Sequence, residues 1–249
     1  MQQLVLDLAP LPAATLDNFA PGRNAEALRA LRAWLAGHGE PALYLWGPPG
    51  SGKTHVLSGA VAAGRSAGMD PLLLTAAELS GGIVATELPA RLAIDDVQRL
   101  SAAGQAALFT LLNRAAQGEL RLLMAGDIAP AGLSLREDVR TRLGAVLVLQ
   151  LHPLDDEEKA RALQAHARGR GFELPPEAAR HLLLHGRRDL RWLLSVLDAL
   201  DRCSLQTRRP ITLSLLREVL QAVRAGGAPS AGPTANTQGG VDTERDQLP

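Results

Sequence analysis

Cysteine is all but missing from this chain, with Cys203 standing alone among 249 residues. No internal disulfide can form, which fits a reducing cytosol. Net charge is missing too: 26 Lys and Arg balance 26 Asp and Glu. That balance argues against wholesale attachment to nucleic acid or to a membrane surface. No run approaches the ~18 uninterrupted apolar residues of a membrane span, and the start has no basic segment leading into an apolar one. The expectation is a soluble, cytoplasmic protein without a membrane partner. The six histidines and the lone cysteine show no metal-ligand spacing, and no G-x-S-x-G elbow or nucleophile triad is visible. Aromatics make up 3% of residues, which favours helices but indicates no chemistry.

What is present centres on Gly47-Pro48-Pro49-Gly50-Ser51-Gly52-Lys53-Thr54. This run fits G-x-x-x-x-G-K-[ST], in which backbone N–H groups of a glycine-rich turn cradle phosphate oxygens. Lys53 would reach the β/γ-phosphates and the Thr54 hydroxyl would hold Mg²⁺. A chance Gly/Pro turn is the competing explanation, and the flanks argue against it. Residues 42–46 read as a short buried strand and residues 53–67 as a helix, whose positive N-terminus is then aimed at the phosphates. A later apolar run, residues 91–94, ends in Asp95-Asp96. At the C-terminal end of a buried strand, Asp95 suits Mg²⁺ and Asp96 an attacking water, although Asp also suits a helix N-cap. Asp96 is one methylene shorter than glutamate, so slow intrinsic turnover is expected. Asp127, after the apolar run 121–125, reads either as a γ-phosphate sensor or as a turn residue.

In the N-terminal run Gln3-Leu4-Val5-Leu6-Asp7-Leu8 the apolar residues alternate ahead of Pro10 and Pro12. Period two fits an edge strand, and equally a peptide that adds to another protein's groove or sheet edge. A turn around Asp17-Asn18-Phe19 and Gly22 is placed to contact an adenine ring or to be an ordinary loop. Asn24 is positioned to N-cap a helix over residues 25–35. Further strands are expected over 71–75 and 145–151, an amphipathic helix over 101–117, and a capping-box helix start at Ser134 with Glu137. Strands alternating with helices predict a five-stranded parallel α/β sheet with ligand at the strands' C-terminal ends. From residue 154 the pattern is helical throughout, opening with an Asp155/Glu158 capping box. Arg187-Arg188-Asp189-Leu190-Arg191 starts the third helix of that set, either as a solvated face or with one arginine leaning over a nucleotide. Residues 225–249 collapse into a low-complexity tail read as disordered.

Together these pieces resemble an AAA+ P-loop NTPase domain with a small helical lid, and more narrowly the DnaA-related family, including its Hda-like branch. The resemblance rests on Asp17-Asn18-Phe19 with Gly22, Leu45-Trp46-Gly47 through Lys53-Thr54-His55, and Ile94-Asp95-Asp96-Val97-Gln98. Asn113, Gly126-Asp127, Arg142-Leu143-Gly144 and Arg188-Asp189-Leu190-Arg191 add to it. It divides the chain into a peptide (1–12), an α/β domain (13–152), a lid (153–224) and a tail (225–249). It implies ADP or ATP with Mg²⁺ as ligand, with Phe19, the 47–54 loop, His55 and Arg188 contacting the nucleotide. Asp127 matches a sensor, Arg188 a lid sensor arginine, and Arg142 an arginine finger acting in trans on a neighbour's nucleotide.

The Hda-like branch carries a short glutamine-leucine peptide that binds the DNA polymerase sliding clamp, its β subunit, and Gln3, Leu4, Leu6 and Leu8 match it. In this chain no helix-turn-helix pattern follows the lid, and the short stretch from Lys53 to Asp95 leaves little room for a loop gripping single-stranded DNA. The implied function is negative regulation of replication initiation. The protein would be tethered to the clamp, reach DNA indirectly through it at the replisome, and promote ATP hydrolysis on the initiator DnaA. Intrinsic ATPase activity is expected to be weak, and a homo-oligomer is possible. Two other functions compete: an ATP-driven DNA remodeller or helicase loader (or a DnaA-like initiation factor) acting on DNA directly, and a scaffold that binds nucleotide for stability.

Overall fold

The computed structural model describes residues 13–81, 88–187 and 189–225. Gln3, Leu4, Leu6 and Leu8, Arg188, and the tail beyond 225 lie outside the described residues. Among the described residues five strands form one sheet: β1 (Ala42–Trp46), β2 (Leu72–Thr75), β3 (Arg91–Asp95), β4 (Arg121–Gly126) and β5 (Leu147–Gln150). Every ladder is parallel and the order is β2-β3-β4-β1-β5. Side chains alternate between two buried faces. Tyr44, Ile94, Leu122 and Met124 belong to one core, and Leu43, Leu45, Ala93 and Leu123 to the other. Burial on both sides is why these segments read as unbroken apolar runs.

Helices α1 (Ala25–Leu35) and α2 (Lys53–Ser66) cover the second face through Leu31, Trp34 and Leu57. The other face is covered by α3 (Ala76–Ser80), α4 (Ala102–Ala116) and α5 (Glu137–Gly144), through Leu79, Leu108, Leu111 and Leu143. Each such leucine, removed from water, contributes about 1.5–3 kcal/mol. With all strands parallel, the loops leaving β1, β3 and β4 emerge at the same sheet edge. Trp46 pairs with Gly126, and the Gly47 N–H donates to the Gly126 carbonyl at 3.2 Å.

The helical region has its own core. Helices α6 (Asp156–Gly169), α7 (Pro176–His185), α8 (Leu190–Thr207) and α9 (Leu213–Ala225) enclose Leu163, Leu182, Val196, Leu197 and Leu216. The expected capping box at its start is formed. Asp155 Oδ1 accepts the Glu158 N–H at 2.7 Å, and Glu158 Oε2 accepts the Asp155 N–H at 2.9 Å. A polar seam joins α6 to α8. Asp198 Oδ1 lies 2.7 Å from His166 Nε2 and 3.3 Å from Arg170 Nη1, while Arg170 Nε donates to Asp201 Oδ2 at 2.9 Å.

Two local expectations are corrected, and one element is new. Asn24 precedes α1, but its side chain makes no capping bond. Its amide is drawn instead to the backbone of His152, donating Nδ2–H to the carbonyl (2.9 Å) and accepting the N–H at Oδ1 (2.7 Å). This pair ties α1 to the segment that enters the lid. The Ser134/Glu137 capping box is not formed, because α5 begins at Glu137 after Arg136. The Arg136 N–H is taken by Gln105 Oε1 of α4 at 2.8 Å, a tertiary partner replacing the local cap. Helix α3 was not anticipated. It follows directly on β2, with Thr75 and Glu78 forming its capping box.

Candidate functional site

The loop between β1 and α2 turns on two glycines, Gly50 (φ 81°) and Gly52 (φ 93°), in the left-handed region that L side chains rarely adopt. A Cβ at Gly52 would sit 2.8 Å from the Phe19 ring, and one at Gly47 would overlap the Leu151 carbonyl oxygen. The loop is therefore packed between the Asp17-Asn18-Phe19 turn and the end of β5. Asn18 holds that turn: its Oδ1 accepts the Thr15 N–H at 2.9 Å, and its own N–H donates to Thr15 Oγ1 at 3.1 Å.

Lys53 is the first residue of α2 and is 8% exposed. Its Nζ donates to the Gly47 carbonyl at 2.7 Å and lies 3.0 Å from Asp127 Oδ1. Thr54 Oγ1 donates to Asp95 Oδ2 at 2.6 Å, and Asp95 Oδ1 accepts the Asp96 N–H at 2.9 Å. A hydroxyl and a carboxylate in contact form a hard-oxygen pair that fits Mg²⁺. This ion usually takes one or two protein oxygens together with water and substrate phosphates. No group of three or more His, Cys, Asp or Glu able to hold a metal occurs among the described residues.

Asp96 leaves β3 in the left-handed region, at φ 58°, which turns its carboxylate towards the loop after β4. There Gln98, which sequence reasoning had named only as part of a motif, links the two acids. Its Nε2 donates to Asp96 Oδ1 (3.0 Å) and Asp127 Oδ2 (3.1 Å), and its Oε1 accepts the Asp127 N–H (3.3 Å). Asp127 therefore bridges Gln98 and Lys53, and Arg99 approaches Asp96 at 3.6 Å. Tyr44 supports the same loop from beneath by donating its hydroxyl to the Ile128 carbonyl at 2.8 Å. Burial, with Asp127 adding to it, raises the phenol well above the usual tyrosine range. Gly126 is needed here, because a Cβ would overlap the Tyr44 hydroxyl.

His55 contacts the segment that carries Phe19. Its Nε2 lies 2.9 Å from the Thr15 carbonyl, and its ring centroid is 5.6 Å from that of Phe19. A carbonyl can only accept, so Nε2 carries the proton. Burial lowers the imidazole pKa, against the opposing effect of the Thr15 bond, and Arg191 adds to the lowering.

Of these groups, Lys53, Thr54, His55, Asp96 and Asp127 line a cleft of about 450 Å³ between the sheet edge and the lid, with Asp95 and Gln98 behind them. It runs over residues 49–55 to Asp96 and Asp127, and on the lid side reaches Lys159, Leu190, Arg191 and Leu194. A neighbouring cavity of about 640 Å³ shares Phe19, His55, Leu154 and Arg191, and extends along α6. Arg191 and Lys159 thus face the cleft from the lid. The sequence indicates a basic N-terminus for α8 but not which arginine turns inward, and Lys159 is hidden in what reads as an acidic capping segment. Arg142 is not among the residues lining either cavity. It lies exposed on α5, its guanidinium 4.8 Å from the Phe109 ring centroid, beside Arg136, Asp138 and Thr141.

A family model of the Hda lid domain matches residues 156–220. In three dimensions the chain is similar to domain III of the replication initiation protein DnaA from Thermotoga maritima, with 24% identity and a TM-score of 0.69, over 86% of this chain and 98% of that one. It is also similar to AMPPCP-bound DnaA from Aquifex aeolicus, with 22% identity and a TM-score of 0.65 over 79% and 70% of the two chains. The RuvB Holliday junction branch migration motor of Thermotoga maritima matches at 19% identity and a TM-score of 0.61, over 86% and 72%. At these identities the solved structures establish the AAA+ fold, and the lid match narrows the kinship. The chain has the AAA+ fold of these DnaA structures, and its residues 156–220 match the Hda lid domain.

Proposed function

We propose that the cleft binds ADP or ATP with Mg²⁺ and that the protein restrains replication initiation by promoting ATP hydrolysis on DnaA. Backbone N–H groups of the 47–54 loop and Lys53 take the phosphates, Thr54 and Asp95 hold the metal, and Phe19 with His55 flanks the base. The metal would supply neutralisation of the phosphate charge. Nucleotide binding is supported by AMPPCP in the DnaA relative and by a loop whose Gly50 and Gly52 adopt the left-handed turn a phosphate cradle requires. Asp96 is held by Gln98 and Arg99, so turnover in this site is slow.

The observation that carries the regulatory reading is Arg142. It stands outside its own cleft, exposed, with its planar guanidinium stacked on Phe109. An arginine in that position suits insertion towards a nucleotide on a partner, as trans arginine fingers do. The partner is ATP-bound DnaA, and residues 1–12, through Gln3, Leu4, Leu6 and Leu8, tether the protein to the sliding clamp on DNA. The α/β unit is taken as 13–152 and the lid as 153–224.

The test mixes clamp loaded on DNA, ATP-bound DnaA and this protein, and follows phosphate release. Arg142→Ala is expected to lower the stimulation about 10³-fold or more, and Gln3→Ala with Leu6→Ala to abolish its dependence on the clamp. Full stimulation by the Arg142→Ala protein refutes the finger. Robust DNA-stimulated ATPase by this protein alone favours a DNA remodeller instead.

A further inference from the structure

We infer that Lys159 is a phosphate contact contributed by the lid, reaching the nucleotide in the same cleft as Lys53. Lys159 lies in the first turns of α6, four residues after the N-cap Asp155. It is a cation at the positive end of a helix, where the backbone dipole disfavours it. Its side chain is nevertheless only 13% exposed, and the carboxylate that meets it among the described residues is Asp156, 3.8 Å away and 82% exposed. With its stem covered and its counter-charge so distant and hydrated, the ammonium has room for a second anionic partner on the side it faces. The space it faces is the cleft that also contains Lys53, Thr54 and the 49–52 backbone.

Among the described residues, two other cations line the same cleft and are weaker candidates. Arg99 is 72% exposed and already paired with Asp96 at 3.6 Å, and Arg191 is exposed. Lys159 combines a side chain only 13% exposed with an ion pair as long as 3.8 Å. Its position also gives the contact a mechanical consequence. Helix α6 is joined to α8 through His166, Arg170, Asp198 and Asp201, so a phosphate held between Lys53 and Lys159 draws the whole lid onto the α/β domain. Adenosine, lacking phosphate, gives no such pull.

This inference rests on the cleft being a nucleotide site, and the experiment separates the two. Titration calorimetry with ADP and with adenosine is run on the full chain and on Lys159→Gln, Lys159→Arg and Lys53→Ala variants. Lys159→Gln is expected to weaken ADP binding about tenfold or more, as for loss of a hydrogen bond to a charged group. Adenosine affinity should be unchanged, and Lys159→Arg should restore most of the ADP affinity. If Lys53→Ala abolishes ADP binding while Lys159→Gln leaves it intact, the lid contact is refuted and the nucleotide site stands. If neither ADP nor adenosine binds the unmodified protein, the site assignment itself fails. An equal loss of ADP and adenosine affinity in Lys159→Gln assigns the lysine to lid packing and also overturns the inference.

Discussion

Gln98 can be tested by asking why it is an amide. It donates twice, to Asp96 and Asp127, and accepts once, from the Asp127 N–H. Leucine matches its bulk and can do none of these. Glutamate keeps its shape and its acceptor but, ionised, cannot donate. Hydrogen bonds to charged groups contribute about 1.5–3 kcal/mol each. Both carboxylates are 39% exposed, so water recovers part of the loss, and Gln98→Leu should cost about 2–3 kcal/mol. Gln98→Glu loses the same two bonds and adds a third negative charge. At an effective dielectric between ~20 and that of water, each like-charge pair at ~4 Å adds about 1–4 kcal/mol.

Glutamate should therefore be the more harmful substitution at pH 7.5, by about 2 kcal/mol, or roughly 4–8 °C in Tm for a protein of this size. The order should narrow or reverse near pH 5, where the introduced carboxyl takes up a proton and donates again. Thermal unfolding followed by circular dichroism at both pH values, each variant against the parent, measures this. If Gln98→Glu is as stable as the parent at pH 7.5, or leucine is the worse of the two there, the bridging role assigned to Gln98 is wrong.

Two further outcomes follow from the same geometry. Because the folded state lowers the His55 pKa below its ordinary value near 6.5, the unfolded chain binds more protons just below that pH. The stability this group contributes is thus present above about pH 6.5 and is lost as pH falls through the window beneath it. His55→Gln, which can still donate to Thr15, should flatten that part of the stability–pH curve in chemical denaturation. Asp198→Ala removes the carboxylate shared by His166 and Arg170, and because Arg170 keeps Asp201, the loss should be about 2–4 kcal/mol rather than the full cost of breaking a buried pair. Hydrogen exchange should locate that loss in α6 and α8, with the sheet protected as before.

The elements themselves were largely legible. Sheet strands buried on both faces must be apolar throughout, so residues 42–46, 91–94 and 121–125 stood out, and the glycines of the phosphate loop marked where the backbone turns left-handed. Asp155 with Glu158 was readable because a capping box is satisfied within four residues. The errors fell where a distant partner outcompeted a local one. Asn24 bonds to His152 instead of capping α1, and Arg136 takes its partner from α4 instead of from a Ser134 cap.

By itself the sequence determined the parallel α/β architecture, the phosphate loop with Lys53 and Thr54, the acids after β3 and the helical region beyond residue 154. All of these follow from local periodicity and turn chemistry. Tertiary structure decided what those acids touch. Strand order brings the ends of β3, β4 and β1 side by side, and only then do Asp96, Gln98, Asp127 and Lys53 form one array. It also decided that Lys159 and Arg191 face the cleft while Arg142 faces outward. The physical reason is the same in each case. Which way a polar side chain turns depends on partners dozens of residues away, and no local pattern encodes them.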